Sequence, residues 1–245
     1  GTSSPATLTY TVTPTSADGC EGDDFTIIIT VNPEPDINNI TEPICSENTF
    51  NISPSDGTNG DVVPTGTTYT WGNPVSTPVE AISGGFANSN QSNISQLLTN
   101  DTNTPAFLTY TVTPTSADGC IGDNFEIIIE VNPLGQVNSV ANQILCNGQN
   151  LEVDFSTENL TGPGSGPGSG GSSDFNWTSN LDIGFGVNGS DDINSLVFNS
   201  SNIPIVATIT VTPTFINNGA CTGTSQTFTI TVNPEPDINN VTETI

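Results

Sequence analysis

Apolar and polar residues alternate along two neighbouring segments of the chain, residues 108–113 and 125–131. In the first segment, threonines separate Leu108, Tyr110 and Val112. One face of the second segment consists of Phe125, Ile127, Ile129 and Val131. Both segments predict half-buried β-strands, because a period of two places successive side chains on opposite faces. The Asp-Gly and Gly-Asp pairs in the intervening SADGCIGDN predict the loop of a β-hairpin.

This hairpin unit occurs three times. The thirteen residues LTYTVTPTSADGC at 8–20 recur letter for letter at 108–120, and a related copy occupies 207–234. Each copy ends in Asn-Pro and is followed by a second recurring unit, such as VNPEPDINNITEPIC at 31–45. The period is about 100 residues, which indicates tandem domains.

The Asn-Pro pairs predict the domain boundaries. Residues 1–32 are the C-terminal half of a preceding repeat, 33–132 and 133–233 are complete repeats, and 234–245 start the next one. Each complete repeat has one tryptophan midway, Trp71 or Trp177, where a core tryptophan of a central sandwich strand is expected. The segment GPGSGPGSGGSS at 162–173 predicts a flexible loop.

The spacing of the strands predicts the fold class. About seven short strands per hundred residues, with no helical periodicity, indicate an all-β chain of tandem immunoglobulin-like β-sandwich domains. An odd number of strands places the two ends of a domain at opposite ends of the sandwich. The short proline-containing junctions NPEPD and NPLG restrict bending. We therefore expect the domains to stack head to tail as a rod.

The charge balance excludes several classes of function. The chain has 26 Asp and Glu and no Lys, Arg or His, a formal net charge of −26. Without basic side chains it cannot neutralise phosphates, so we expect no nucleic-acid partner and no attraction to anionic membranes. The longest mainly apolar run, FTIIITV at 25–31, is too short to span a bilayer. Nucleophilic triads need a His or Lys base, so we expect no enzyme activity.

The motif set also resembles a known family. The runs YTVTPTSADGC-x-G and FTIIITVNPEP, with Ile-Cys-Ser at 44–46, resemble the polycystic-kidney-domain-like (PKD-like) immunoglobulin repeats of giant Bacteroidetes cell-surface adhesins. The SprB-like gliding-motility adhesins are of this kind. The resemblance covers essentially the whole chain and implies secretion through the type 9 system and display as a filament on the bacterial cell surface. It implies no catalytic residue.

Two disulfide arrangements are open. Cys45 and Cys120 are 75 residues apart, as are Cys146 and Cys221, which favours one bond within each complete repeat and leaves Cys20 unpaired. Closing such a loop contributes about 4 kcal/mol in the chain-entropy model. In an ordinary immunoglobulin-like strand order, however, the two sulfurs of one repeat lie at opposite ends. Cys45 would then pair with Cys221 of the next repeat and stiffen the junction. Free thiols, or a bond between Cys20 and Cys45, are the remaining alternatives.

Calcium is the one inorganic ligand that the sequence suggests. Asp18, Glu21, Asp23 and Asp24 cluster in the first hairpin loop, and carboxylate oxygens are ligands that Ca²⁺ prefers. The second loop reads IGDN and lacks two of these acids, which favours solvated turn residues with diffuse counterions. No other cofactor is expected.

Three partner hypotheses remain at this point. In the first, the repeats form a stalk whose partners are neighbouring repeats of the same chain. In the second, the repeats bind a surface glycan or protein through the divergent loops at 79–105 and 162–195. In the third, the chain is a subunit of an assembled fibre.

Overall fold

The computed structural model describes residues 1–159 and 173–236, and these residues form β-strands and loops with one short 3₁₀ turn at Thr58–Gly60. The described residues divide into two compact units. Unit 1 comprises residues 1–99 and 107–130, and unit 2 comprises residues 100–106 and those from 131 onward. The predicted all-β class is confirmed. Most of the predicted loop at 162–173, and residues 237–245, lie outside the described residues.

Eleven strands run through the first part of the chain. They are β1 (Ala6–Val12), β2 (Phe25–Val31), β3 (Ile40–Cys45), β4 (Asn48–Ile52), β5 (Thr68–Trp71), β6 (Val75–Thr77), β7 (Ile82–Ser83), β8 (Asn88–Gln91), β9 (Ile94–Asn100), β10 (Ala106–Thr115) and β11 (Phe125–Asn132). One sheet has the order β3-β11-β10-β5-β8, with β6 also pairing with β10. A second sheet has the order β4-β9-β7, and β1 pairs with β2 alone.

The described residues from 133 onward form eight further strands, all in unit 2. They are β12 (Gln143–Cys146), β13 (Asn150–Val153), β14 (Ser173–Ser179), β15 (Asn188–Ser190), β16 (Ile193–Leu196), β17 (Ile205–Ile216), β18 (Ala220–Thr222) and β19 (Gln226–Asn233). The larger sheet has the order β12-β19-β17-β14-β15, and β18 pairs with β17. The second sheet consists of β13 and β16. Strand β12 runs parallel to β19, whereas β17 is antiparallel to both β19 and β14. Both units thus have the two-sheet construction of a β-sandwich.

The predicted alternation along the hairpin is confirmed. Every inward-facing residue of β10 and β11 that the pattern selects is at most 2% exposed. These residues are Leu108, Tyr110, Val112, Phe125, Ile127, Ile129 and Val131. Trp71 and Trp177 are also buried, as expected of core tryptophans on central strands. The closing hairpin therefore supplies one wall of the core.

Tyr110 connects the two sheets of unit 1. Its ring centroid lies 5.4 Å from that of Phe50 on the opposite sheet and 6.4 Å from that of Trp71 on its own sheet. Its Oη donates a 2.8 Å hydrogen bond to Oε1 of Gln96 on β9. Burial raises the pKa of Tyr110 well above its ordinary value, so the phenol stays neutral and keeps this bond.

The hairpin of β1 and β2 has the same inward-facing residues, yet this face is exposed. Tyr10 is 48% exposed whereas Tyr110 is 0% exposed, and Ile29 is 44% exposed whereas Ile129 is 0% exposed. The two strands pair over seven residues, from Ala6 opposite Val31 to Val12 opposite Phe25. Strand formation thus follows from the local sequence, whereas burial requires a covering sheet.

We predict that Ile129→Ala lowers the free energy of unfolding of unit 1 by about 2–5 kcal/mol, because it leaves a cavity in a closely packed core. The matched substitution Ile29→Ala should change it by about 1 kcal/mol or less, because Ile29 already contacts solvent. Urea unfolding followed by Trp71 fluorescence in a Trp177→Phe background measures both. Equal effects of the two substitutions would contradict the packing described above.

Candidate functional site

The cysteine-bearing hairpin loop is the candidate functional site, because it combines the most closely repeated sequence with the cysteines and the acidic cluster. Its backbone geometry is the same in the first two copies. Ser116 N–H donates to the Cys120 carbonyl at 2.8 Å, and Cys120 N–H donates to Ser116 Oγ at 3.1 Å. Ser16 and Cys20 make the same two bonds at 2.9 and 3.1 Å. Gly119 has a φ of +83°, a conformation that favours glycine in the ADG turn.

The glycine two residues after Cys120, like the one two residues after Cys221, closes its loop against the preceding linker. A Cβ on Gly122 would lie 2.0 Å from the carbonyl oxygen of Pro35. A Cβ on Gly223 would lie 1.7 Å from the carbonyl oxygen of Gly135, the corresponding linker residue of unit 2. Only glycine permits this approach of two backbones. The Cys-x-Gly spacing was noted in the sequence, but its reason is a contact between segments about 87 residues apart.

The third copy has a longer loop, and its extra residues extend the strand pairing. Strand β18 pairs with the end of β17, and Phe215 lies opposite Cys221. Cys221 is 1% exposed, and its carbonyl accepts a 2.9 Å hydrogen bond from Gly135 N–H. The loop is therefore held to the linker by backbone contacts in this copy as well.

The cysteines differ in state. Cys45 and Cys221 are disulfide-bonded, whereas Cys20, Cys120 and Cys146 are free. Both bonds favoured from the sequence, Cys45 with Cys120 and Cys146 with Cys221, require one of these free thiols, so that pairing is wrong. In the loop, the Cys120 sulfur instead contacts the Asn32 carbonyl oxygen at 4.0 Å. Equal sequence spacing says nothing about which ends of a sandwich the two sulfurs occupy.

The acidic residues of the first loop are not gathered into a metal centre. Among the described residues, no group of three or more His, Cys, Asp or Glu side chains is placed to hold a metal ion. Asp18, Glu21, Asp23 and Asp24 are all exposed. Asp24 accepts a hydrogen bond from Thr13 Oγ1 at 2.5 Å. Specific calcium binding by these four residues stays a prediction.

Asp24 has a structural role that the corresponding residues of the other two copies share. In the second copy Thr113 Oγ1 donates to Asn124 Oδ1 at 2.6 Å, and in the third Thr212 and Ser225 bond through their hydroxyls at 2.7 Å. A neutral amide and a hydroxyl therefore replace the carboxylate at the same place. The threonine hydroxyl therefore requires a hydrogen-bond partner at this position, and the partner does not have to carry a charge.

Two buried asparagines, which the sequence reasoning above did not predict, fix the turn before each closing hairpin. Asn100 Nδ2 donates to the carbonyls of Thr104 and Val131 at 2.8 and 2.7 Å. Asn199 Nδ2 likewise donates to the carbonyls of Ile203 and Val232 at 2.9 and 2.8 Å. The Asn-x-Thr/Ser motif that recurs at 100–102 and 199–201 could have indicated these two residues from the sequence. It was hidden among many similar tripeptides in a chain rich in Asn, Ser and Thr.

Two carboxylates with shifted pKa values stabilise turns. Asp182 accepts hydrogen bonds from the backbone N–H groups of Gly184 and Gly186 at 2.9 and 3.0 Å, which lowers its pKa. Asp56 accepts from Ser3 Oγ at 2.7 Å and from Val63 N–H at 3.0 Å, which lowers its pKa as well. A general acid needs a raised pKa, so neither group is suited to that role.

We predict that Gly122→Ala lowers the free energy of unfolding of unit 1 by about 1–3 kcal/mol, because the new methyl group overlaps the Pro35 carbonyl. Gly22→Ala is the matched control. Its Cβ would lie 3.2 Å from Pro14 Cγ and 3.7 Å from the Pro14 carbonyl oxygen, without overlap with a backbone atom, so we expect a change within about 0.5 kcal/mol. Thermal or urea unfolding of both variants measures the difference. A neutral Gly122→Ala would show that the loop does not depend on the linker contact.

Peptide mapping without reductant should find Cys45 and Cys221 only in disulfide-linked peptides, with Cys20, Cys120 and Cys146 alkylated. Pepsin is the suitable protease, since the chain has no Lys or Arg for trypsin and low pH suppresses thiol exchange. A linked peptide containing Cys120 or Cys146 in the freshly purified chain would contradict this assignment.

Calcium binding at the first loop predicts a higher thermal midpoint in Ca²⁺ than in chelator at fixed ionic strength, because a ligand that binds only the folded state stabilises it. Asp23→Asn with Asp24→Asn should abolish the difference. Equal midpoints for the unsubstituted chain would leave the acids as solvated turn residues that interact only with diffuse counterions.

In the described residues, no helix has both the length and the apolar character that a membrane span requires.

The sequence matches the family model described as "PKD-like domain" over residues 1–35 and 42–135, more than half of the chain. No curated protein matches it. Among solved structures, the FN1–FN3 domains of chicken CNTN1 are 9% identical with a TM-score of 0.35, covering 93% of this chain and 76% of that one. The D00–D0 domain of intimin is 11% identical with a TM-score of 0.31, covering 80% and 98%. These TM-scores are too low to support an argument about function. The family model matches more than half of the chain, however, so the chain belongs to the PKD-like domain family.

Proposed function

We propose that this chain is a structural stalk segment of a secreted bacterial cell-surface adhesin. Its repeats stack head to tail as a rod, and its role is to space and present a binding region carried elsewhere, in adhesion and in gliding motility. The type 9 system exports the protein, and the cell surface is its location. The proposal includes no enzyme activity and no organic cofactor.

The distribution of differences between repeat copies carries this proposal. Residues 8–33 and 108–133 differ at four positions, and in unit 1 none of the four is buried. These positions are Ile121, Asn124, Glu126 and Glu130 in the second copy. The residues that build the core, and the cysteine and both glycines of the loop, are all kept. Units that keep the fold and vary outside it serve as interchangeable spacers.

The disulfide supports an extracellular location. Cys45 and Cys221 are bonded, and disulfides persist in oxidising compartments outside the cytosol. The absence of Lys and Arg from the sequence leaves no cleavage site for trypsin-like proteases, which suits an exposed filament.

Binding measurements with the purified chain test the proposal. A stalk segment should give no saturable binding on a glycan array or to intact bacterial and host cells. Specific binding that disappears when the loop at 79–105 is replaced by a Gly-Ser linker of equal length would favour the ligand-binding hypothesis instead. Concentration-dependent growth of fibres from the purified chain would favour a subunit of an assembled fibre.

Small-angle scattering tests the rod. A compact chain of this length has a radius of gyration of roughly 18 Å, so a stack of repeats should give a clearly larger value and a scattering profile typical of an elongated particle. The value should stay constant with concentration. A radius of gyration near the compact limit would overturn the proposed spacing role.

A further inference from the structure

The hairpin of β1 and β2 presents an apolar face that none of the described residues covers. Its inward-facing residues are between 43% and 59% exposed, with Val12 intermediate. These exposed residues are Leu8, Tyr10, Phe25, Ile27, Ile29 and Val31. Contiguous apolar surface of this kind marks a site of interaction with another polypeptide.

The closing hairpin of unit 1 shows which surface fits this face. The corresponding residues of β10 and β11 are identical in type and at most 2% exposed, because the sheet containing β4 and β9 covers them. That sheet contributes Phe50, Ile94 and Leu98, which are at most 1% exposed. It also contributes Gln96, the hydrogen-bond acceptor of the tyrosine hydroxyl. A face with the same residues at the same register requires the same cover.

The turn before β1 is already formed for this partner. Thr2 Oγ1 donates to the Ser4 carbonyl at 3.2 Å, as Thr102 Oγ1 contacts the Thr104 carbonyl at 2.8 Å. In the covered hairpin, the Thr102 hydroxyl also lies 2.7 Å from Oδ1 of the buried Asn100. Residues 2–4 therefore form the same turn as residues 102–104. In the covered hairpin, Asn100, two positions before the threonine, completes that turn.

The outer edges of the strands also differ between the two hairpins. Strand β11 pairs with β3 on one side, and β10 pairs with β5 on the other. In the described chain, β1 and β2 form a sheet of two strands with both outer edges open to further pairing. Open edges beside an apolar face favour addition of strands.

We propose that the β1–β2 face is a docking site for a half-sandwich, a polypeptide segment with the sequence pattern of residues 33–100. The segment supplies a β4–β9 type sheet with a Phe, a Gln and a Leu over Tyr10 and Ile29. It adds β3-like and β5-like strands at the two edges. It ends in an asparagine that binds the turn at Thr2. The result is one more complete sandwich.

The first test adds this segment in trans. The probe is the polypeptide of residues 33–100, whose only tryptophan is Trp71, added to the full chain carrying Trp71→Phe and Trp177→Phe. We expect a 1:1 complex by native mass spectrometry and a blue shift of the probe fluorescence as Trp71 becomes buried. Ile29→Asp in the full chain should weaken binding by about 100-fold or more, because it places a charge in the new core.

The matched control is Ile28→Asp, because Ile28 is 66% exposed and lies on the opposite face of β2. It should leave the affinity within about threefold of that of the parent chain. Equal loss in both variants, or no complex at all with a soluble probe, would overturn the proposal. Dimerisation of the full chain alone that Ile29→Asp abolishes would assign the face to a second copy instead.

A covalent fusion of the probe to the full chain tests the proposal even if the isolated probe aggregates. Residues 33–100 are fused directly before Gly1, so that an asparagine lies two positions before Thr2, as Asn100 lies before Thr102. We expect an additional cooperative unfolding transition and protection of the Tyr10 ring from iodination or nitration. Ile29→Asp should remove that transition and leave the other units folded. A fusion with no added transition, or one that Ile29→Asp leaves unchanged, would refute the docking site independently of the stalk proposal.

Discussion

The structure depends on covering the apolar face of each closing hairpin. Two long strands place a continuous row of Leu, Tyr, Val, Phe and Ile side chains on one side, and only a second sheet can remove that row from water. Where the second sheet is present, as over Tyr110, the row is buried; over Tyr10 it is not. The order of the strands in each sandwich, the place of the tryptophans and the position of the cysteine loop all follow from this layer.

A second constraint comes from the absence of basic side chains. The chain has no Lys, Arg or His, so its carboxylates have no basic side chain as a partner. Amide and hydroxyl groups form the buried side-chain hydrogen bonds instead. Gln96 bonds to the Tyr110 hydroxyl, and Asn100 bonds to backbone carbonyls at the turn before β10. In the part of the chain that the structure describes, no buried side-chain nitrogen or oxygen atom lacks a hydrogen-bond partner. Neutral partners avoid the cost of burying charge, which explains the richness in Asn, Ser and Thr.

The cysteine loop shows how a functional feature and a fold requirement share one segment. The Ser116–Cys120 turn holds the cysteine at the end of the hairpin, and Gly122 allows the loop to meet the backbone of the linker at Pro35. Loop and linker are thus fixed relative to each other within unit 1. The Cys120 thiol, which is free, therefore has a defined position at the end of the hairpin.

The sequence by itself determined the strands, the turn chemistry and the inward face of each hairpin. These are local properties: a period of two selects the face, and Gly119 follows from the conformation of a single residue. The two-sheet fold and the core tryptophans were also predictable, since the strands of the closing hairpins are apolar on one face and need a covering sheet. Only the tertiary structure decided which cysteines bond, why Gly122 is glycine, and that Asn100 is a buried structural residue. Each of these depends on contacts between segments far apart in the chain, and sequence spacing does not encode distance across a sandwich.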